Sequence, residues 1–157
     1  MAGKDIGVPW EPVPSELEIL DAFRDALSVP DFAEVLRDDA ATDAFVDAFG
    51  PCCHPDFGVD MIAGAAGLRQ EYSGVDGFVE GWRDWVAPFE AFRIEIENDI
   101  AGGGDVYVGF ARQTGVLEGG GEVKADAAAL FRFENGLLAR LEFHMDRAEA
   151  MRSAGLA

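Results

Sequence analysis

The hydrophobic pattern changes its period along this chain, and that change is the feature that most constrains the fold. Apolar residues recur at helical spacing over about 16–49 and again over 75–87, whereas the last third of the chain alternates or forms short apolar runs. Short turns, among them the hairpin signal Asn135-Gly136, separate these runs and require antiparallel neighbours. The pattern therefore predicts an α+β fold with a mainly antiparallel sheet. Strands are expected at about 57–61, 92–98, 106–117, 123–133 and 138–145.

Turn and cap residues mark the boundaries of the helices. Residues 1–14 hold three prolines and are predicted to be an extended arm, which leaves 15–157 as one domain. Ser15 and Glu18 form a capping box for the first helix. Further helices are predicted over 32–37, 41–49, 75–87 and after Asp146, with Asp31 and Asp146 as N-caps.

Aromatic side chains on the 75–87 helix indicate a hollow interior. Phe78, Trp82 and Trp85 lie on one face of this helix. A helix laid across a strongly curved sheet encloses a cone-shaped apolar pocket, so we expect the chain to hold a small hydrophobic molecule. A buried indole N–H needs a partner, so one of the two tryptophans is expected to border the pocket.

Composition excludes several classes of function. The 157 residues include 30 acidic and 12 basic side chains, a net charge of -18, and this field repels phosphate backbones and anionic membranes. The first residues lack the apolar core of a signal peptide, and no run approaches the roughly 20 apolar residues of a membrane span. We therefore expect a cytoplasmic protein that binds neither nucleic acid nor membrane.

The common metal and cofactor motifs are also missing. Cys52 and Cys53 are adjacent, and adjacent cysteines rarely bridge each other because the small ring is strained. Together with His54 they offer three metal ligands, yet His144 is the only other histidine and no second Cys pair completes a zinc site. Gly102–Gly104 precedes a strand, so this run cannot present a helix N-terminus to a phosphate. We expect no metal and no cofactor.

Arg112 is the candidate for a polar contact with the ligand. Val106, Val108, Phe110 and Arg112 share one side of a regular strand. This places the guanidinium near one end of the buried face, where it would hold an anionic or carbonyl group. A salt bridge with one of the many carboxylates explains Arg112 equally well.

Three residues are candidates for acid–base chemistry, namely Asp60, Tyr72 and His144. Histidine has the right chemistry near neutral pH, but His144 alternates with Arg140 and Glu142 and is expected to point away from the pocket. Tyr72 is either a hydroxyl at the rim of the pocket or a turn residue.

Three segments of the chain resemble the SnoaL-like branch of the nuclear transport factor 2-like superfamily. They are Tyr72–Phe78, Phe131–Gly136 and Phe143–Leu156. The resemblance covers nearly the full chain and implies a cone of helices over a curled sheet, often paired into a homodimer through the outer face of that sheet. Similar proteins include steroid isomerases, epoxide hydrolases, polyketide cyclases, dehydratases and proteins without a known activity.

The catalytic residues implied by this resemblance do not recur here. Phe23 stands where similar steroid isomerases have a tyrosine, and Met61 stands at their catalytic aspartate. Asp60, one position away from Met61, belongs to the opposite face of the strand. Their second acid falls near Ala129, and the aspartate of similar epoxide hydrolases falls near Phe143.

Two hypotheses about function remain open. One is a cyclase, isomerase or dehydratase that acts on a hydrophobic substrate and uses Asp60, Tyr72 or His144. The other is a non-catalytic ligand-binding or dimerisation module. A buried ionisable group inside the pocket would favour the enzyme, and an apolar lining would favour the binder. The predicted pocket residues are Phe23, Met61, Trp82, Trp85, Phe110, Arg112, Ala129, Phe131 and Phe143.

Overall fold

The computed structural model describes residues 16–63 and 68–156, so the predicted arm over 1–14 and the cap at Ser15 lie outside the described residues. The helices are α1 (Glu16–Leu27), α2 (Phe32–Leu36), α3 (Asp39–Phe49), α4 (Gly74–Val86) and α5 (Arg147–Ser153). The strands are β1 (Cys53–Ala63), β2 (Leu68–Ser73), β3 (Phe89–Gly103), β4 (Val106–Leu117), β5 (Glu122–Glu134) and β6 (Leu137–His144). None of the described helices is long and apolar enough to cross a membrane.

The strands form one open sheet in the order β2-β1-β6-β5-β4-β3. Neighbouring strands are antiparallel except for β1 and β6, which run parallel. At the β5–β6 hairpin Asn135 has φ 54° and Gly136 has φ 80°, a left-handed pair that Asn-Gly adopts readily. The predicted cone-shaped α+β fold with a mainly antiparallel sheet is confirmed.

Aspartate caps fix the starts of three helices. Asp31, Asp38 and Asp146 each accept hydrogen bonds from two backbone N–H groups of the helix that follows. Asp31 Oδ1 also accepts from Phe92 N at 3.0 Å, which ties α2 to β3. The predicted caps at Asp31 and Asp146 are therefore confirmed.

Strand β2 is absent from the sequence-based assignment. It lies at the edge of the sheet, next to β1, and its residues 69–71 are Arg, Gln and Glu. An edge strand with polar side chains shows no apolar alternation, so the pattern gave no signal there.

The two faces of the sheet carry separate apolar clusters. Helices α1 to α4 cover the inner face, where the Phe23 ring lies among four other aromatic rings. Helix α5 covers part of the outer face, where Ala150 packs with Val108, Ala128 and Leu130. The inner cluster encloses the site described below.

The predicted orientation of β4 is wrong. Val106, Val108 and Phe110 pack in the outer cluster under α5, and Arg112 is exposed. Because α5 covers part of the outer face, the more apolar side of β4 is the outer one, and alternation alone does not tell which side is inner. The inner side of β4 carries the small or polar residues Gly109, Ala111 and Gln113 in place of a continuous apolar stripe.

Candidate functional site

A cavity of about 70 Å³ lies between α1, α4 and the inner face of the sheet. One water needs about 10–15 Å³ of such space, so the cavity has room for several waters or for one small ring. Its lining is mainly apolar. The apolar residues that line it from the inner side are Leu20, Phe23, Leu27, Trp82, Ile94, Ile96, Ala111, Ala127, Ala129, Phe131 and Phe143. Phe110 and Ala128 also border the cavity, although their side chains pack in the outer cluster.

Small residues on the two central strands create this space. Gly109 of β4 faces Ala129 of β5, and Ala111 faces Ala127 in the same register. A Cβ atom added at Gly109 would meet no heavy atom within 4 Å, so the space beside this glycine is empty. We call these four residues the small-residue wall. Larger residues here would fill the cavity, so its volume is set at this wall.

Two tryptophans of α4 lie at or beside the cavity, and their indole groups differ. Trp85 Nε1 donates to Gln113 Oε1 at 3.0 Å. Trp82 is 2% exposed and lines the cavity, and its Nε1 has no hydrogen-bond partner among the residues that the structure describes. Trp82 and Gln113 are the polar, non-ionisable side chains of the lining.

Charged side chains mark the open end of the cavity, which we call the mouth. Asp21 and Arg24 of α1 form an ion pair at 3.1 Å, and Glu97 of β3 lies in the same lining. Glu97 is paired with Arg147 of α5. Each of these charges is matched by an opposite one, and none lies in the interior.

Five of the nine residues predicted for the pocket line this cavity from the inner face, namely Phe23, Trp82, Ala129, Phe131 and Phe143. Phe110 also borders the cavity, but its side chain packs in the outer cluster. Met61 is buried in the inner core but is not part of the lining. Trp85 contacts the lining through its bond to Gln113. Arg112 is outside: it pairs with Asp126 at 3.3 Å on the outer face, which is the salt bridge considered as the alternative.

The acid–base candidate Asp60 lies on the outer face. Its side chain is 1% exposed and pairs with Arg140, which also binds Glu71 at 3.1 Å. Its neighbour Met61 points into the inner core, as the alternation predicts. Asp60 is therefore separated from the cavity by the sheet.

His144 also lies on the outer face, as predicted. His144 Nε2 is 2.8 Å from Glu142 Oε1, and Ser153 Oγ donates to the same oxygen at 3.0 Å. These hydrogen bonds, first of all the one from His144, lower the pKa of the Glu142 carboxyl. His144 thus orients and stabilises a buried carboxylate, and both side chains are remote from the cavity.

Tyr72 packs on the far side of α4. Its ring lies against Gly81 and its backbone and Cβ lie against Gly77, and at either glycine an added Cβ would come to 3.0 Å from the tyrosine. Its hydroxyl oxygen is 3.0 Å from oxygens of Gln70 and Asp84, and burial followed by the bond to Asp84 raises its pKa to about 12. Tyr72 is absent from the cavity lining, and a phenol with this pKa is protonated at neutral pH, so it cannot act as a general base there.

The family model of the SnoaL-like domain matches residues 32–141, which include β1 to β5 and most of β6. The chain belongs to the SnoaL-like family. No curated protein matches this SnoaL-like chain in sequence.

Solved structures share the SnoaL-like fold at low identity. A protein of Jannaschia sp. CCS1, described as a SnoaL-like polyketide cyclase, has a TM-score of 0.59 at 18% identity over 96% of this chain and 99% of its own. TerC, co-crystallised with polyporic acid, has a TM-score of 0.57 at 17% identity over 87% of this chain and 96% of its own. A protein of Catenulispora acidiphila DSM 44928 with a ketosteroid isomerase-like fold, in complex with trimethylamine, has a TM-score of 0.53 at 18% identity over 89% of this chain and 94% of its own. These likenesses support the fold.

Sequence reasoning placed Ala129 in the pocket of this SnoaL-like protein but missed Gln113 and the rest of the small-residue wall. The signal was present, because Gly109 and Ala111 alternate along one strand, and Ala127 and Ala129 do so along the next. Side by side in a sheet, such small residues leave space.

The two cysteines lie outside the cavity lining. Cys52 and Cys53 are both free thiols. Burial, with a smaller effect of Cys52, raises the pKa of the Cys53 thiol to about 12, so it is protonated at neutral pH. Within 16–63 and 68–156 no group of three or more His, Cys, Asp or Glu side chains is arranged to hold a metal ion.

Proposed function

We propose that this SnoaL-like protein binds one small, neutral, mostly apolar molecule in its cavity and performs no acid–base chemistry there. The observation that carries the proposal is the position of the charges. Among the described lining residues the ionisable ones are Asp21, Arg24 and Glu97, and all three belong to the mouth. General acid–base catalysis needs an ionisable group within hydrogen-bond reach of the reacting atom.

Two further observations support binding over catalysis. The candidates Asp60, Tyr72 and His144 are absent from the lining, and each contacts groups elsewhere in the fold. Two proteins of similar fold were crystallised with small molecules, polyporic acid in one and trimethylamine in the other. The homodimer and the cytoplasmic location stay predictions; native mass spectrometry of the purified protein tests the first.

The experiment fills the cavity without damaging the fold. Gly109→Val adds a side chain into empty space on a strand, where a β-branched residue is favoured. We expect the unfolding free energy to rise by about 1 kcal/mol, as cavity-filling changes commonly do. Binding of toluene, followed by ligand-observed NMR, should weaken at least about tenfold, which corresponds to about 1.4 kcal/mol.

Gly121→Val is the matched control. Gly121 lies in the exposed β4–β5 turn, and an added Cβ would meet only Leu117 at an ordinary distance of 3.7 Å. This variant should bind toluene like the wild type. Equal toluene binding by the Gly109 variant and the wild type would refute the proposal.

A further inference from the structure

Trp82 carries a buried hydrogen-bond donor whose partner is missing. Its side chain is 2% exposed, and Nε1 contacts no acceptor within the described part of the chain. The rings around it, those of Phe32, Phe92 and Phe143, pack against it edge to face and carry no oxygen or nitrogen. Buried indole N–H groups usually find a partner, and an unpaired one destabilises the structure.

Trp85, three residues further along α4, shows how the same group is satisfied in this fold. Its Nε1 donates to Gln113 Oε1 at 3.0 Å. An indole N–H is only a donor, so this bond fixes the Gln113 amide with its oxygen engaged and its NH₂ group as the remaining polar end. The two polar side chains of the lining, Trp82 and Gln113, therefore both offer donors to a ligand.

The net charge of the protein and the charges at the mouth favour a neutral ligand group as the partner of these donors. The protein has a net charge of -18, and the mouth carries Asp21 and Glu97 against Arg24. Arg112, which would have attracted an anion, lies on the outer face with Asp126. An anion entering an apolar interior without a cation would lose its hydration without compensation.

We infer that the ligand is a neutral molecule about one ring in size that offers a hydrogen-bond acceptor, such as a carbonyl oxygen, to Trp82 Nε1. This inference rests on the proposed function and adds to it the polarity of the ligand. The apolar walls hold the ring, and the indole N–H selects the acceptor. A site with a buried donor discriminates against an analogue that cannot pair with it.

The test uses two ring compounds of nearly the same shape, cyclohexanone and methylenecyclohexane, in which C=O is replaced by C=CH₂. Each is titrated into ¹⁵N-labelled wild-type protein while the indole N–H signals are recorded. We expect cyclohexanone to move the Trp82 signal downfield and methylenecyclohexane to bind with a much smaller shift. The chain has three tryptophans, so the Trp82 signal is assigned by elimination with Trp10→Phe and Trp85→Phe. A further variant, Trp82→3-benzothienylalanine, replaces the N–H group with sulfur and keeps the ring shape.

The same variant measures the hydrogen bond. Loss of the N–H donor should weaken the binding of cyclohexanone about tenfold, the effect of one good hydrogen bond. It should change the binding of methylenecyclohexane less than about twofold. Because each compound is compared between wild type and variant, the free energy of transferring it from water cancels. If the variant does not fold, the indole shift of the wild type decides alone.

The outcomes separate the two proposals. If neither compound nor toluene binds the wild type, the proposed function fails and this inference fails with it. Two other outcomes refute only the hydrogen-bond acceptor of the ligand and leave the apolar binding site standing. In one, the compounds bind but cyclohexanone does not move the Trp82 signal. In the other, cyclohexanone loses no more affinity in the variant than methylenecyclohexane does.

Discussion

The inner and outer faces of the sheet use the same strands for opposite purposes. On β6, Leu141 and Phe143 point into the inner core, whereas Arg140, Glu142 and His144 lie on the outer face. The outer face buries charged groups that pair with one another, although His144 Nδ1 and Arg147 Nε have no hydrogen-bond partner among the described residues. The inner face leaves empty space and keeps an unpaired donor, at Trp82, beside it.

This difference shows where stability and binding reside. A charge buried with its partners contributes to a unique fold, and its groups are not available to a ligand. A cavity lowers stability but provides room for a guest. Residues of catalytic type on the outer face are therefore expected to affect unfolding, and residues of the small-residue wall are expected to affect binding.

The largest expected effect separates two Arg–Asp pairs of the outer face. Arg140 pairs with Asp60, whose side chain is 1% exposed, whereas Arg112 pairs with Asp126 while both are more than half exposed. Arg140→Met leaves a buried carboxylate without this guanidinium and should cost about 3 kcal/mol of unfolding free energy. Arg112→Met should cost at most about 1 kcal/mol. Urea unfolding measures both.

Equal losses in these two variants would show that burial does not decide the strength of the pairs, and the contrast between the faces would weaken. Toluene affinity supplies a second readout. Neither arginine lines the cavity, so both variants should bind toluene like the wild type as long as they remain folded.

A pH-dependent effect should follow from Glu142. Its folded pKa lies below the ordinary 4.5, first because of the hydrogen bond from His144. A lowered pKa means that its contribution is fully present above pH 4.5 and is lost as the pH falls through the folded value. Glu142→Gln should therefore lower the unfolding free energy by about 1–2 kcal/mol at neutral pH. This loss should shrink as the pH falls below 4.5.

Urea unfolding at several pH values checks this prediction, with Glu118→Gln in the exposed β4–β5 turn as the control. The control should show no such pH-dependent difference from the wild type. A cost for Glu142→Gln that stays constant from neutral pH into the acid range would contradict the assigned hydrogen bonds.

The polar bond of the inner face should have a smaller effect. Trp85→Phe and Gln113→Leu each remove one end of the bond from Trp85 Nε1 to Gln113 Oε1. In a double-mutant cycle the coupling should be about 1 kcal/mol, the typical net value of a neutral hydrogen bond. No measurable coupling in urea unfolding would mean that the Gln113 amide is not held by Trp85 in solution.

Much of this fold was predictable because its signals are local. Asp31 and Asp146 cap helices where the sequence predicts them, and Asn135-Gly136 forms the expected hairpin turn. The orientation of β4 was not predictable, because α5, which follows the sheet in the sequence, buries Val108 and its apolar neighbours on the outer face. To assign the inner side of a strand, one must know which elements cover each face of the sheet, and hydrophobic periodicity does not contain this information.

The cavity was predictable in kind but not in detail. Phe131 and Phe143 alternate toward the interior as expected, and the aromatic helix does lie over them. The polar contact was placed on Arg112 because it alternates with Val106, Val108 and Phe110, whereas in the structure that side of β4 is the outer one and Trp82 has the unpaired donor beside the cavity. Which of two tryptophans three residues apart finds a partner depends on Gln113, a residue of another strand.

The smallest expected effect concerns Tyr72, the candidate that packs against the inner core but lies outside the cavity lining. Its pKa is raised to about 12 from the ordinary 10.0, so its stabilising bond is present below pH 10.0 and is lost as the pH rises through the folded value. The chain has two tyrosines, so Tyr107→Phe leaves Tyr72 as the only phenol, and its ultraviolet absorbance should titrate higher in folded than in urea-unfolded protein. Tyr72→Phe should leave toluene affinity unchanged, since this side chain is absent from the lining. A clear loss of affinity in Tyr72→Phe would return the hydroxyl to the site and reopen the case for catalysis.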